Sequence, residues 1–204
     1  MGEGKDLLHS VIDYNNARHS RESGNPEKHW IPPYQVRGRL SQARNDKRHR
    51  TCVAMDKTRI LKMEASDLDT VAETDASSRL TPWSKESFLE ELKNPLSSCF
   101  TLKLKKGATE QVIGFICFRI LGEESELLDL AIHSRYRQRG FGKHLMTFYL
   151  DFCHERRVKT FYLETGVSNQ SAIRLYQSFA YQPIGKRPKF YQGREDALLM
   201  MRRA

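Results

Sequence analysis

Two periodicities change places across one short loop. Leu127-Leu128-Asp129-Leu130-Ala131-Ile132 is an apolar run of strand length, and Lys143-His144-Leu145-Met146-Thr147-Phe148-Tyr149-Leu150 begins an amphipathic run of helix length. Between them stands Arg137-Gln138-Arg139-Gly140-Phe141-Gly142. A chain that passes from strand to helix in this way must turn tightly, and Gly140 and Gly142 permit both the turn and a close approach of the main chain to a ligand. The helix that follows presents unpaired N–H groups and the positive end of its dipole. Arg137, Arg139 and Lys143 add positive side chains. The loop therefore suits a pyrophosphate, although a short Gly-x-Gly also occurs in turns that merely join a strand to a helix. It is not the dinucleotide fingerprint, which needs G-x-G-x-x-G, and no Gly-Lys-Ser/Thr follows to make a Walker loop.

The flanking chain extends this unit on both sides. Arg59–Met63 reads as a strand, and Asp67–Ser77 as a helix with Leu68, Val71 and Ala72 at helical spacing and Ser66 as its N-cap. Thr81-Pro82-Trp83-Ser84 is a turn, and Ser84 caps a helix over Lys85–Lys93 that Asn94-Pro95 stops. Cys99–Leu104, Val112–Ile120 and Glu126–Ile132 read as strands, the first two as a hairpin. Gly140–Arg157 reads as a helix that buries Leu145, Met146, Tyr149, Phe152 and Cys153. Val158–Leu163 is a short strand. A helix opened by Ser168 runs to about Phe179, and strands over Gln182–Lys186 and Ala197–Met201 close the chain.

Residues 1–54 are different material. They hold ten Lys/Arg against six Asp/Glu, few periodic apolar positions and many turn formers, such as Ser23-Gly24-Asn25-Pro26 and Ile31-Pro32-Pro33. Such a segment buries too little surface to offset the entropy of ordering it, beyond a short helix over Asp6–Tyr14. Its string Arg18–Glu27 resembles peptides translated from dispersed repeats in bacterial genomes, so a dispensable basic leader over 1–54, a natural start at Met55 and one domain over 55–204 are the expected organisation. The competing reading is a basic arm that touches RNA, and the formal charge of +9 suits anionic partners in general. Asp6 stands where N-myristoylation wants Ser or Thr. Cys52, Cys99, Cys117 and Cys153 form no C-x-x-C pair, and no H-x-x-x-H occurs, so free thiols in a cytoplasmic, reducing setting are expected, with no metal and no membrane span.

R-x-x-G-x-G after a strand resembles the acetyl-CoA-binding motif of the Gcn5-related N-acetyltransferases. The order β-α-α-β-β-β-α-β-α-β-β is also that of their fold, an α/β fold with a mixed, mostly antiparallel sheet flanked by helices. Three further segments resemble one branch, the bacterial ribosomal-protein-alanine N-acetyltransferases. They are Thr81-Pro82-Trp83-Ser84, the block Leu163-Glu164-Thr165-Gly166-Val167-Ser168-Asn169 through Tyr176, and Gly193-Arg194-Glu195-Asp196-Ala197. Together the resemblance covers about residues 58–202.

The resemblance implies transfer of acetyl from acetyl-CoA to the N-terminal alanine of a small-subunit ribosomal protein, by direct attack. Glu164 is implied as general base and Tyr176 as general acid toward the departing sulfur. A phenol near 10 and a thiol near 8.5 are close enough for that transfer. An N-terminal amine titrates about 2.5 units below lysine, so its base has less to do, and burial would make a glutamate more efficient. Leu130, Ala131 and Ile132 are implied to offer backbone to the pantetheine arm and one N–H to the developing oxyanion. Gln138, Arg139, Gly140, Phe141, Gly142 and Lys143 are implied to hold the pyrophosphate, and Asn169 to touch the cofactor. Asn169 could equally cap its helix. Trp83 and Tyr191 are implied to frame the peptide entrance, and either could equally be packing.

Three positions depart from the family pattern. Ala180-Tyr181 replaces Gly-Phe, and a left-handed backbone at Ala180 would cost about 1 kcal/mol. Phe190-Tyr191-Gln192 replaces Tyr-Tyr-Pro, and Gly166 stands where a side chain is common. Two alternatives stay open: acetylation of lysine or a small amine, and a non-enzymatic ribosome- or RNA-binding protein. Nucleic acid is otherwise expected to be met only through the ribosome.

Overall fold

The computed structural model describes residues 57–79 and 81–204. The leader over 1–54, its short helix, the start at Met55 and Cys52 lie outside the described residues. Strands β1 (Thr58–Lys62), β2 (Ser97–Lys106), β3 (Thr109–Leu121), β4 (Glu124–Ile132), β5 (Thr160–Gly166), β6 (Gln182–Tyr191) and β7 (Glu195–Arg203) form one sheet in the order β1-β2-β3-β4-β5-β7-β6. Helices α1 (Leu68–Ala76), α2 (Lys85–Lys93), α3 (Phe141–His154) and α4 (Gln170–Gln177) complete the element order expected from the sequence. Every strand pair is antiparallel except β4–β5. None of the described helices is long and apolar enough to cross a membrane.

Local chemistry moved three boundaries. Ser66 does not cap α1. The chain enters α1 through a 3-10 turn, Ala65–Asp67, in which the Asp67 carboxylate accepts from the Glu64 N–H at 3.1 Å in a capping box. Ser168 does not cap α4. Its N–H donates to Glu195, and Asn169 takes the cap instead, accepting from the Ala172 N–H at 3.2 Å. Strand β6 runs on to Tyr191 because β7 pairs with it as far as Tyr191↔Glu195. Ser84 caps α2 as expected, accepting from the Ser87 N–H at 3.2 Å.

The sheet is covered on both faces. On one, Leu68 and Val71 of α1 and Phe88 of α2 pack on Phe115, Cys117 and Ala131. On the other, Leu145, Met146, Tyr149 and Cys153 of α3 pack with Tyr176 of α4 on Phe118, Leu127, Phe161 and Leu163. Fully burying one such side chain is worth about 1.5–3 kcal/mol, so the two clusters hold the sheet between its helices.

One irregularity shapes everything that follows. Cys117 pairs with Asp129, but Phe118 pairs with Leu127, so Leu128 has no opposite residue on β3. This β-bulge bends β4 and shifts its alternation by one residue. Beyond the bulge Asp129 and Ala131 face the α1–α2 side; before it Leu127 packs toward α3, which turns Glu126 to the α1–α2 side. Pairing between β4 and β5 ends at the same place, with Leu127↔Leu163 its last pair. The two parallel strands then part, and the edge of β4 that faced β5 is left open over Leu128–Ile132.

Candidate active site

The parted strands frame a cleft of about 1330 Å³. A pocket for one small ligand holds roughly 300–1,000 Å³, so this cleft has room for more than one reactant. It runs from the loop before α3, past the open edge of β4, to the α1–α2 loop and the β6–β7 hairpin.

The α3 end is built mainly from backbone. Gly140 is the N-cap of α3 with φ 85, Gln138 also takes a left-handed φ of 59, and both line the cleft. Gly142 and Lys143 line the cleft as well. Phe141 lines it with its main chain while its ring is core, only 2% exposed. Leu130, Ala131 and Ile132 pair with β3 through Ile116, Phe115 and Gly114 and line the cleft along their other edge. Arg139 is not part of the lining; its guanidinium stands 5.7 Å from the centroid of the Tyr136 ring. Arg137 is a strut. Its Nε donates to the Ile132 carbonyl at 2.9 Å, and its Nη2 donates to the Ser77 carbonyl at 3.1 Å and to Ser78 Oγ at 2.9 Å. The sequence motif counted it as a free positive charge; the structure uses it to tie β4 to the end of α1.

The other end is built from charged and aromatic side chains. Glu164 lies on β5 and Tyr176 on α4, and both line the same cleft. The Glu164 side chain is 21% exposed, and its Oε1 accepts from Arg187 Nη1 of β6 at 2.9 Å. Tyr176 is buried, and its hydroxyl is pushed up to about 12, first by loss of solvent, with the Arg79 charge pulling it down and Tyr191 pushing it up. The pKa gap to a thiol therefore widens from the reference value to about 3.5 units, or roughly 5 kcal/mol. Tyr191 lines the cleft half-buried, its hydroxyl also raised by burial, then by Glu164. Trp83 sits at the boundary of cleft and core. It lines the cleft and packs on Phe88 with centroids 5.2 Å apart, while its backbone N–H donates to Asp75 Oδ2 at 2.8 Å. Asn169 caps α4 and lines the cleft.

Three residues here were not singled out in the sequence. Arg79, after α1, forms an ion pair with Asp75 Oδ1 through Nε at 2.7 Å and donates to Asp129 of β4 through Nη2, and both carboxylates are fully buried. Glu195 opens β7, and its Oε1 accepts from the Ser168 N–H at 2.8 Å. It lies against Gly166, where a Cβ would come within 2.6 Å of that oxygen, so a side chain there would have to displace the Glu195 carboxylate. Glu126 lies in the half of β4 still paired with β5, opposite Tyr162, and lines the same cleft as Glu164. The signal for Glu126 and Asp129 was present: carboxylates inside an otherwise apolar strand run.

Residues 65–181 match the model of the Acetyltransferase (GNAT) family. The chain belongs to that family. Among GNAT relatives, a Bacillus subtilis (strain 168) protein provisionally named a [ribosomal protein bS18]-alanine N-acetyltransferase is 34% identical over 71% of this chain and 94% of its own length. The Haemophilus influenzae (strain ATCC 51907 / DSM 11121 / KW20 / Rd) protein named [ribosomal protein bS18]-alanine N-acetyltransferase is 32% identical over 69% of this chain and 95% of its own. The crystal structure of the Escherichia coli ribosomal-protein-S18-alanine N-acetyltransferase superposes with a TM-score of 0.62 at 26% identity, over 71% of this chain and 92% of that one. The mixed seven-stranded sheet with its parted β4 and β5 is therefore a GNAT fold, and the protein is an acetyltransferase.

Proposed function

We propose that this GNAT enzyme moves acetyl from acetyl-CoA to the N-terminal alanine of a small-subunit ribosomal protein. The relatives named for bS18 point to that acceptor. The observation that carries the mechanism is the shared cleft: Glu164 and Tyr176 come from different elements and line it where β4 and β5 part. Acetyl-CoA fits the backbone-built half. Its pyrophosphate meets the N–H groups around Gly140 and the start of α3, and its pantetheine arm lies along Leu130–Ile132 as an added strand would. The thioester carbonyl then reaches the parting of the strands, with a β4 N–H for the developing oxyanion.

The acceptor enters between Trp83 and Tyr191. Its amine loses a proton to Glu164 and attacks the carbonyl carbon. The carbon–sulfur bond breaks, and Tyr176 returns a proton to the thiolate. A hydroxyl held near 12 stays protonated throughout the neutral range, as a proton donor must, and the Arg79 charge eases the transfer. The N-terminal amine suits this machinery better than a lysine amine, since it gives up its proton about 2.5 units earlier.

Mass spectrometry of ribosomal-protein N-termini, with and without this protein, tests the acceptor. An alanine-starting peptide should turn over faster than free lysine or a polyamine; turnover of the small amines alone overturns the reading. Glu164→Gln should lower kcat by about 10²-fold, the lower end of what positioned proton transfer supplies, with little change in affinity for acetyl-CoA. An unchanged rate removes Glu164 from the mechanism.

A further inference from the structure

Not every carboxylate at the acceptor end of the cleft has a cation. Glu164 has Arg187 at 2.9 Å, and Asp129 has Arg79. Glu195 lines the same cleft half-buried, and among the described residues its carboxylate has one hydrogen-bond partner, the Ser168 N–H on Oε1. A missing side chain leaves it room. Gly166 follows Glu164 by two residues on β5, so the two positions share a face about 7 Å apart. The Glu195 carboxylate lies where a side chain at position 166 would begin, with Oε1 2.6 Å and Oε2 3.0 Å from the place of its Cβ. Tyr191, at the entrance, feels both carboxylates. Its hydroxyl is pushed up first by burial and then by Glu164, Glu195 adds to this, and Arg79 and Arg187 pull it down.

We infer that Glu195 is a specificity-determining residue, whose carboxylate takes a cationic side chain, Lys or Arg, on the residue that follows the acceptor alanine. The inference rests on the N-terminal acetyl transfer proposed above and names the N-termini that it favours.

The spacing suits that assignment. An extended peptide covers about 3.3–3.6 Å per residue. With its amine at Glu164, the second residue starts about half-way to the Glu195 carboxylate, and the long stem of a Lys or Arg spans the rest. A cation there meets an oxygen that no other group of the described residues holds. An acidic side chain meets repulsion from Glu195 and Glu164 together, and a neutral one meets neither force. The plain alternative makes Glu195 a tie that fastens the β6–β7 hairpin to the loop before α4 through Ser168. A glutamine would serve that purpose equally well, because its amide oxygen accepts the same bond. The charge is what remains to be used, and it faces the acceptor.

Three peptides that start with alanine and differ only in their second residue, lysine, glutamine or glutamate, test it on the full chain with saturating acetyl-CoA. For the wild type, kcat/KM should fall roughly fivefold from the lysine to the glutamine peptide, the upper yield of one partly exposed ion pair, and about as much again to the glutamate peptide. The spread should sit in KM, because this contact is the same before and during the reaction, and it should shrink as salt is raised. Glu195→Gln keeps the bond from Ser168, so its thermal melt should match the wild type while the lysine preference disappears. A preference of unchanged size in Glu195→Gln would overturn the inference, and so would equal turnover of the three peptides by the wild type. Either result leaves the N-terminal acetyl transfer intact. Turnover of small amines with none of any alanine peptide would instead sink the proposed acceptor. The subsite is then decided by a diamine and the monoamine of equal length: Glu195→Gln should erase a preference for the diamine, and a preference that persists overturns the assignment.

Discussion

The two ends of the cleft are made of different material. Toward α3 the wall is main chain: the N–H groups around Gly140, the left-handed Gln138 and the open edge of β4. Toward α1 and the β6–β7 hairpin it is side chain: Arg79, Glu126, Glu164, Tyr176 and Glu195, three of them tied to a neighbouring side chain or backbone N–H. A backbone wall recognises what never varies in a reaction and depends on leaving space. In the mechanism proposed above the side-chain wall does the proton chemistry, and it depends on each group keeping its partner. The first should therefore fail when atoms are added, the second when they are removed.

Adding atoms has the largest expected effect. A Cβ at position 142 would already stand 3.3 Å from Leu175 Cδ2, where α4 crosses the first turn of α3. Gly142→Trp should fill the backbone wall and abolish acetyl-CoA binding in calorimetry, with the fold retained by circular dichroism. Binding within about tenfold of the wild type, some 1.4 kcal/mol, would mean that the ligand does not use this loop.

How far the two walls could be seen beforehand follows the same division. The backbone wall was legible because turns, caps and periodicity are local. Gly140 before an amphipathic run announces α3, and Leu145, Met146, Tyr149 and Cys153 mark the face that α3 buries. The side-chain wall was legible only where a resemblance pointed, at Glu164, Tyr176, Trp83 and Tyr191. Arg79 and Asp129 are fifty positions apart, and no local pattern joins them. The face that Glu126 takes depends on a bulge at Leu128, and a bulge leaves no mark in an alternation this short. The same holds for Glu195 and Gly166: the missing side chain was visible, but the carboxylate that occupies its place was not.

Removing atoms from the other wall should come next in size. Arg79→Met would leave the fully buried carboxylates of Asp75 and Asp129 without their shared cation. Breaking such a pair costs about 3–5 kcal/mol, and the lower end applies because Arg79 is partly exposed. Urea unfolding should show this loss. The activity of whatever remains folded should also fall, because the Tyr176 hydroxyl loses the charge that pulls its pKa down. Arg79→Lys separates the two effects. It keeps the charge near Tyr176 but lacks the planar fork that reaches both carboxylates, so it should recover rate more than stability. Equal recovery of both would show that the clamp acts as one charge rather than as two directed bonds.

The smallest effect tests the boundary of the backbone wall. Ala180 stands in the turn after α4 with φ 64, where the Tyr181 N–H donates to the Tyr176 carbonyl at 3.2 Å. The Cβ of an L-residue in this conformation crowds the next carbonyl, at a cost of about 1–2 kcal/mol. Glycine removes that cost but gives the unfolded chain more freedom, worth about 0.5–1 kcal/mol. Ala180→Gly should therefore raise stability by about 0.5–1 kcal/mol net, read as a higher urea midpoint with an unchanged slope. Ala180 is exposed and does not line the cleft, so kcat and both KM values should stay as they are. A gain in stability with a loss of rate would mean that the strained helix end holds Tyr176 in place. The backbone wall would then extend past the loop before α3 to the far end of α4.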